Sequence, residues 1–399
     1  MRRSIGRTGV LLVSAMVLAS GCQGGSGGGD QGGGGPKPKA LTVVPADGTG
    51  QVRPDEPVVV TAAGEKISDV RVTAAGKQAE GKLSADGRSW RTRWTLTPGT
   101  KYQVTASTDK GTTVTSSFTT LKPARTINVA AAGPEDGGKA GVGMPIILNF
   151  NAPVYNQAEV EKALEVKLSQ QVEGGWRWMS RQQVVYRPRT YWPTGQKVEL
   201  IAHLAGVRPA KDTYLTRDLT YGFTVGDSVI STVDTRTHTM TVRRNGKVVK
   251  KLPISAGRAT KRAYTTTNGV HLTMEKAATV VADSATVGIP KGSAEYYRLD
   301  LKWAVRISNS GEYVHAAPWS VGSQGNANVS HGCVNASTDN AKWFYDNSVP
   351  GNVVIVTGTD RELEGGNGWG YWQLSWTRWM DGSALDQSDA PSTPAPATG

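Results

Sequence analysis

In 399 residues the chain has only two cysteines, Cys22 and Cys333. Two thiols cannot build a disulfide framework, and with no C-x-x-C pair there is neither a zinc ribbon nor a redox dithiol. Long apolar runs are scarce too: the stretch from Val10 to Ala19 is too short to cross a bilayer as a helix. With 38% hydrophobic and 20% charged residues, the chain is globular rather than disordered or membrane-embedded. Acidic residues are the under-represented sign, 33 against 45 Lys plus Arg, for a formal net charge of +12. That excess points to an anionic surrounding: nucleic acid, a membrane surface or a polyanionic wall. At roughly 150 residues per domain, the length predicts two or three domains.

The N-terminus chooses among those surroundings. Arg2, Arg3 and Arg7 precede the apolar run, the layout of a secretory signal, and the run ends Leu18-Ala19-Ser20-Gly21-Cys22. This resembles a bacterial lipobox, which implies a signal peptide over residues 1–21 and a lipidated, membrane-anchoring Cys22 as the first mature residue. Losing the three arginines leaves a mature charge of +9. The basicity then belongs to an exported body, which argues against nucleic acid as a partner. Residues 22–40, rich in Gly and ending in a Pro-Lys repeat, have nothing to bury and read as a tether.

From 41 to 121, short β-branched runs alternate with Gly, Asp and Pro without helical periodicity, which predicts a β-sandwich. Residues 125–225 repeat that character around one helical patch, Ala158 to Leu164. The shared pattern Trp94-Thr-Leu-Thr-Pro98-Gly and Tyr191-Trp-Pro193-Thr-Gly suggests tandem Ig-like domains. Trp90, Trp94, Trp176, Trp178 and Trp192 fit a sandwich core better than a sugar-binding face. A third, mostly β unit spans 226–358. It has a type I′ hairpin signal at Asn245-Gly246 and a helix from Thr338 to Asn347 capped by Ser337 or Thr338. In residues 359–385, Trp369, Trp372, Trp376 and Trp379 recur at the period of one helical face, predicting a subdomain packed on this third unit. Residues 386–399 read as a disordered tail.

The segment that carries chemistry is Gly311-Glu-Tyr-Val-His315-Ala-Ala-Pro-Trp319, followed by Ser330-His331-Gly332-Cys333-Val334-Asn335. A lone thiol in an exported chain is a nucleophile candidate. With a reference pKa of about 8.5 it needs a base or a cationic neighbour, and His315 and His331 are nearby in sequence. Gly332 permits a sharp turn that brings amide N–H groups toward a reacting carbonyl. A zinc site built from His315, His331 and Cys333 is the weaker reading, because no fourth ligand stands in spacing. His203, His238 and His271 have no motif context and read as structural or surface residues.

A histidine, an intervening stretch and then Ser-His-Gly-Cys-hydrophobic-Asn resembles the signature of the L,D-transpeptidase (YkuD) catalytic domain. The likeness extends over about residues 230 to 380, and the whole layout resembles the actinobacterial lipoprotein members with two Ig-like domains. The resemblance implies Cys333 as the acyl-accepting nucleophile, His315 as its base oriented by the Ala316 carbonyl, and His331 as a helper. It implies an oxyanion hole from the Gly332 and Cys333 amides with the Tyr297 hydroxyl, and a pocket floor shaped by Trp319, Ser330 and Asn335. Residues 280–303 resemble the family's lid, with Val287 where some relatives carry a second tyrosine.

The expectation is therefore a mostly β enzyme with no metal or organic cofactor. It would act on peptidoglycan stem peptides by forming 3→3 cross-links through a thioester with release of D-alanine. It would be acylated by carbapenem β-lactams and lipid-anchored on the outer face of the plasma membrane, facing the wall. Two alternatives remain: an L,D-carboxypeptidase that hydrolyses the same thioester, and a non-catalytic wall-binding lipoprotein.

Overall fold

The computed structural model describes residues 40–385; the expected signal peptide, Cys22, most of the tether and the tail lie outside the described residues. The first sandwich packs a four-stranded sheet containing Leu41–Val44, Val59–Ala62 and Ser89–Thr92 on a five-stranded sheet built around Thr113–Thr120, Lys101–Thr108 and Ile67–Ala74. Along Lys101–Thr108 every second residue (Tyr102, Val104, Ala106, Thr108) turns inward, the period-2 pattern of a sheet with one wet face. The second sandwich joins Val129–Gly133, Ile146–Phe150, Gln183–Pro188 and Gly174–Ser180 to a sheet containing Leu164–Leu168, Lys197–Ala202 and Leu219–Val225. Trp90, Trp176, Trp178 and Trp192 are buried in these cores. Trp94 instead stacks on His203 at 3.9 Å, beside the Thr95 Oγ1 to Ala205 carbonyl bond that joins the sandwiches. The helical patch is shorter than expected, Gln157–Lys162.

The catalytic unit has two sheets. One orders Lys247–Pro253, Thr239–Arg244, Val229–Asp234, Val353–Thr357 and Gly269–Leu272; the other orders Lys276–Asp283, Arg298–Arg306, Tyr313–Ala316 and Val334–Ala336. Val233, Met240 and Leu252 from the first meet Val305, Val314 and Val334 from the second in one core. The helix Thr338–Asn347 seals the second sheet, setting Ala341 on Ala316 and Ala336, and Ser337 Oγ caps it by accepting the Asn340 N–H at 3.3 Å. Asn245 and Gly246 both have positive φ (49° and 80°), as a type I′ turn requires.

One expectation needs correction. The tryptophan segment is not one helical face, and it packs on the second sandwich as well as on the unit 226–358. A 3₁₀ turn, Gly370–Gln373, is followed by a separate helix, Trp376–Met380, and both cover the outer face of the second sandwich. The reason lies in the strand Gln183–Pro188, which is buried on both faces: Val184 and Tyr186 enter the sandwich core, while Val185 and Arg187 need an outer cover. Trp372 and Trp379 each lie 4.6 Å from the Arg187 guanidinium, and the Trp379 indole N–H donates to the Gly175 carbonyl at 2.9 Å. Gln373 in turn accepts the Val270 N–H at 2.7 Å, so the segment straps sandwich to catalytic sheet. Residues 280–303, the stretch that resembles the family's lid, form the upper part of a hairpin: Lys276–Asp283 pairs antiparallel with Arg298–Arg306, leaving 284–297 as the connecting loop. The Val287 side chain lies outside the described residues.

Candidate active site

Parallel pairing of Tyr313–Ala316 with Val334–Ala336 sets His315 opposite Asn335 and brings the histidine strand beside the turn that ends in Cys333. That turn is held from both sides. The Ser330 hydroxyl donates to the Cys333 carbonyl at 2.6 Å and accepts the Gly332 N–H at 3.0 Å. The Thr266 hydroxyl donates to the Gly332 carbonyl at 2.8 Å and accepts the Gly257 N–H at 2.9 Å. Gly332 has φ +132°, a conformation that side-chain-bearing residues rarely adopt. A Cβ there would find its nearest atom, Glu312 Cγ, at 3.8 Å, so backbone conformation rather than space demands glycine.

These bonds correct one expectation. The Gly332 amide, assigned to the oxyanion hole, is engaged by Ser330 Oγ, because the tight turn folds it back on the serine. Gly332 and Ser330 therefore shape the thiol's turn, with Ser330, 8% exposed, bracing it from within.

His315 is 3% exposed, and its Nδ1 lies 2.9 Å from the Ala316 carbonyl. A carbonyl only accepts, so Nδ1 carries the proton and Nε2 keeps its lone pair. Burial lowers the His315 pKa to about 4, with the Ala316 carbonyl and the Asn335 side chain pulling the other way. Asn335 is itself held by its Nδ2 donating to Ser320 Oγ at 3.2 Å. Cys333 is half-buried, and its thiol donates to the Gly311 carbonyl at 3.6 Å. Desolvation pushes the thiol up to about 12, and the nearby Glu312 charge adds to the rise. Thiol and imidazole are thus both neutral at pH 7.

Tyr297 lies beside this pair. Burial raises its hydroxyl to about 12, with Cys333 and Tyr264 contributing. Its ring is 5.0 Å from that of His331. His331 meets Arg258 and Glu295, its Nε2 lying 3.1 Å from Glu295 Oε2. Among the described residues, His315, His331 and Cys333 are not grouped as a set of metal ligands would be. Trp319, 55% exposed, stands 6.1 Å from the His315 ring and offers an apolar rim.

Sequence reasoning missed Thr266, Arg258, Glu295 and the Glu312–His271 pair. His271, fully buried, lies 3.7 Å from the Glu312 carboxylate, and Thr267 donates to that carboxylate through its N–H at 2.8 Å and through its hydroxyl. Burial alone would raise the Glu312 carboxyl, but His271 and Thr267 outweigh it and hold the carboxyl below its usual range. None of these residues sits in a recognisable spacing; Glu312, three residues before His315, is the nearest to a signal. Clefts of ≈ 730 Å³ on the second sandwich, ≈ 460 Å³ beside Asn149 and Gln183, and ≈ 340 Å³ lined by Trp94 and His203 contain no cysteine.

Residues 228–356 match the L,D-transpeptidase catalytic domain (YkuD) model, and 49–208, across both sandwiches, match a bacterial Ig domain (Big_10). The chain is similar to L,D-transpeptidase 2 of Mycobacterium tuberculosis (strain CDC 1551 / Oshkosh), 37% identical over 349 residues that cover 86% of this chain and 85% of that protein. It is 34% identical over 365 residues to L,D-transpeptidase 5 of M. tuberculosis (strain H37Rv), covering 88% and 78%. Among solved structures, the LD transpeptidase LdtMt1 in complex with imipenem is 39% identical, covering 58% of this chain and 99% of that one at a TM-score of 0.50.

Proposed function

The chain belongs to the L,D-transpeptidase family and is an enzyme of that class, and on that premise we propose that Cys333 cross-links peptidoglycan stems 3→3 through a thioester. In the first half-reaction His315 Nε2 takes the thiol proton as sulfur attacks the carbonyl of the third, diamino-acid residue of a donor tetrapeptide. The C–N bond then breaks, the terminal D-alanine leaves with the proton from His315, and the acyl group remains on sulfur. In the second, the side-chain amine of an acceptor stem loses its proton to His315 and attacks the thioester, and the proton returns to sulfur. The Cys333 amide and the Tyr297 hydroxyl stabilise the oxyanion in both halves.

The observation that carries this reading is the Nδ1–H bond from His315 to Ala316, which fixes the tautomer with a basic Nε2 on the strand beside the thiol's turn. The raised thiol is consistent with it, because a protonated nucleophile in a dry site needs such a base. Imipenem bound to a relative supports the expectation that carbapenems acylate the same sulfur. The reading includes lipidation of Cys22, with the sandwiches lifting the site from the outer membrane face to the wall. To test it, the purified chain is treated with a carbapenem and its intact mass measured: one adduct is expected, absent in Cys333→Ala. An adduct that persists in the variant rejects Cys333 as the nucleophile.

A further inference from the structure

Beside the thiol's turn lies a cluster that the acyl-transfer steps do not use. Gly257 bridges Ser330, and the Arg258 N–H donates to the Ser330 carbonyl at 3.0 Å, which locks Arg258 alongside His331. Its guanidinium lies 4.6 Å over the Tyr264 ring, and His331 meets the same ring edge-on at 4.7 Å. Arg258 Nη2 sits 3.2 Å from His331 Nε2, and both address one oxygen, Glu295 Oε2. Arg258 Nε is buried with no hydrogen-bond partner among the described residues. With Nε enclosed, the arm of the guanidinium that can meet an incoming carboxylate is Nη2, the one Glu295 holds.

The two sides of this ion pair differ in how they are held. Arg258 is fixed by backbone and ring contacts and its side chain is 28% exposed, whereas Glu295 belongs to the loop 284–297 and its side chain is 40% exposed. A pair open to solvent on its acidic side is weak, and a carboxylate of similar geometry can displace Glu295. The substrate supplies such groups: a donor stem carries the carboxylate of the departing D-alanine next to the bond that breaks and, unless amidated, another on the diamino acid.

We propose that Arg258 recognises a carboxylate of the donor stem and that Glu295 occupies this position as a built-in competitor, a latch that the donor must displace. The proposal rests on the donor assignment above but not on the chemistry, so binding separates the two. In the full chain carrying Cys333→Ala, calorimetry with a disaccharide tetrapeptide should show about tenfold weaker binding for Arg258→Gln, partial rescue by Arg258→Lys, and several-fold tighter binding for Glu295→Gln. Donors amidated at either the terminal or the diamino-acid carboxylate identify the group read: with that donor, the Arg258→Gln penalty should vanish. With Cys333 restored, Arg258→Gln should raise KM and leave kcat within about twofold.

Unchanged binding in Arg258→Gln, a penalty that persists with both amidated donors, or Glu295→Gln binding as poorly as Arg258→Gln would each overturn the proposal, the last by making Glu295 a brace. If the restored enzyme bound donor with this dependence yet formed no acyl-enzyme, the acyl-transfer reading would fail and the Arg258 assignment would stand.

Discussion

His315→Ala should alter the pH dependence of carbapenem acylation more than its rate at any single pH. With the thiol at about 12, only about one molecule in 10⁵ carries a thiolate at pH 7. The wild type avoids that handicap by passing the proton to Nε2 during attack. Because burial lowers His315 to about 4, the base is neutral from about pH 5 upward. Its single-turnover acylation rate should therefore be level from there toward the thiol's own range. The variant has only spontaneous ionisation, so its rate should climb about tenfold per pH unit. Positioned bases contribute roughly 10²- to 10⁴-fold, which is the deficit expected near neutrality. That deficit should shrink as pH rises until the profiles converge, followed by intact-mass spectrometry on rapidly quenched samples. Parallel profiles would refute the reasoning by making His315 a positioning residue. A wild-type acid limb near pH 6.5 would refute the neutral pair.

The same depressed histidine predicts acid sensitivity of the fold. Between about 4 and the unfolded value near 6.5, the unfolded chain binds a proton that the folded chain refuses, so stability is present above pH 6.5 and lost as pH falls, by up to about 3 kcal/mol; denaturant midpoints of wild type should fall more steeply there than those of His315→Gln. Gly332→Ala should fold, having room for its Cβ, but forcing a side chain into φ +132° costs about 1–3 kcal/mol and distorts the turn, so acylation should drop at least tenfold in a stopped-flow assay while secondary structure by circular dichroism is retained. Trp379→Ala, removing a wholly buried indole, should cost about 3–5 kcal/mol in thermal unfolding and leave kcat per folded molecule unchanged, since Trp379 covers the second sandwich and touches no site residue.

How far the sequence led depended on whether the cause was local. Turn chemistry at Asn245-Gly246 and the Ser337 cap are each decided within a few residues, and the structure follows them. The tryptophan stripe has the spacing of one helix but forms two elements. A break before Ser375 divides it, and its partner, the outer face of Gln183–Pro188, lies far away in sequence. The engagement of the Gly332 amide by Ser330 was hidden for a related reason: glycine signalled a free backbone without saying which acceptor would take its N–H. Arg258 to Glu295 and His271 to Glu312 are pairings across 37 and 41 positions, made by the topology of the catalytic sheets.

The central claim, that Cys333 forms 3→3 cross-links by way of a thioester, is tested most directly by incubating the purified full chain with a disaccharide tetrapeptide and resolving the products by tandem mass spectrometry. The account predicts a dimer linked between two diamino-acid residues, released D-alanine in equal amount, and neither product from Cys333→Ala. Tripeptide without dimer would make the enzyme a carboxypeptidase, and dimer formed by Cys333→Ala would contradict the account outright.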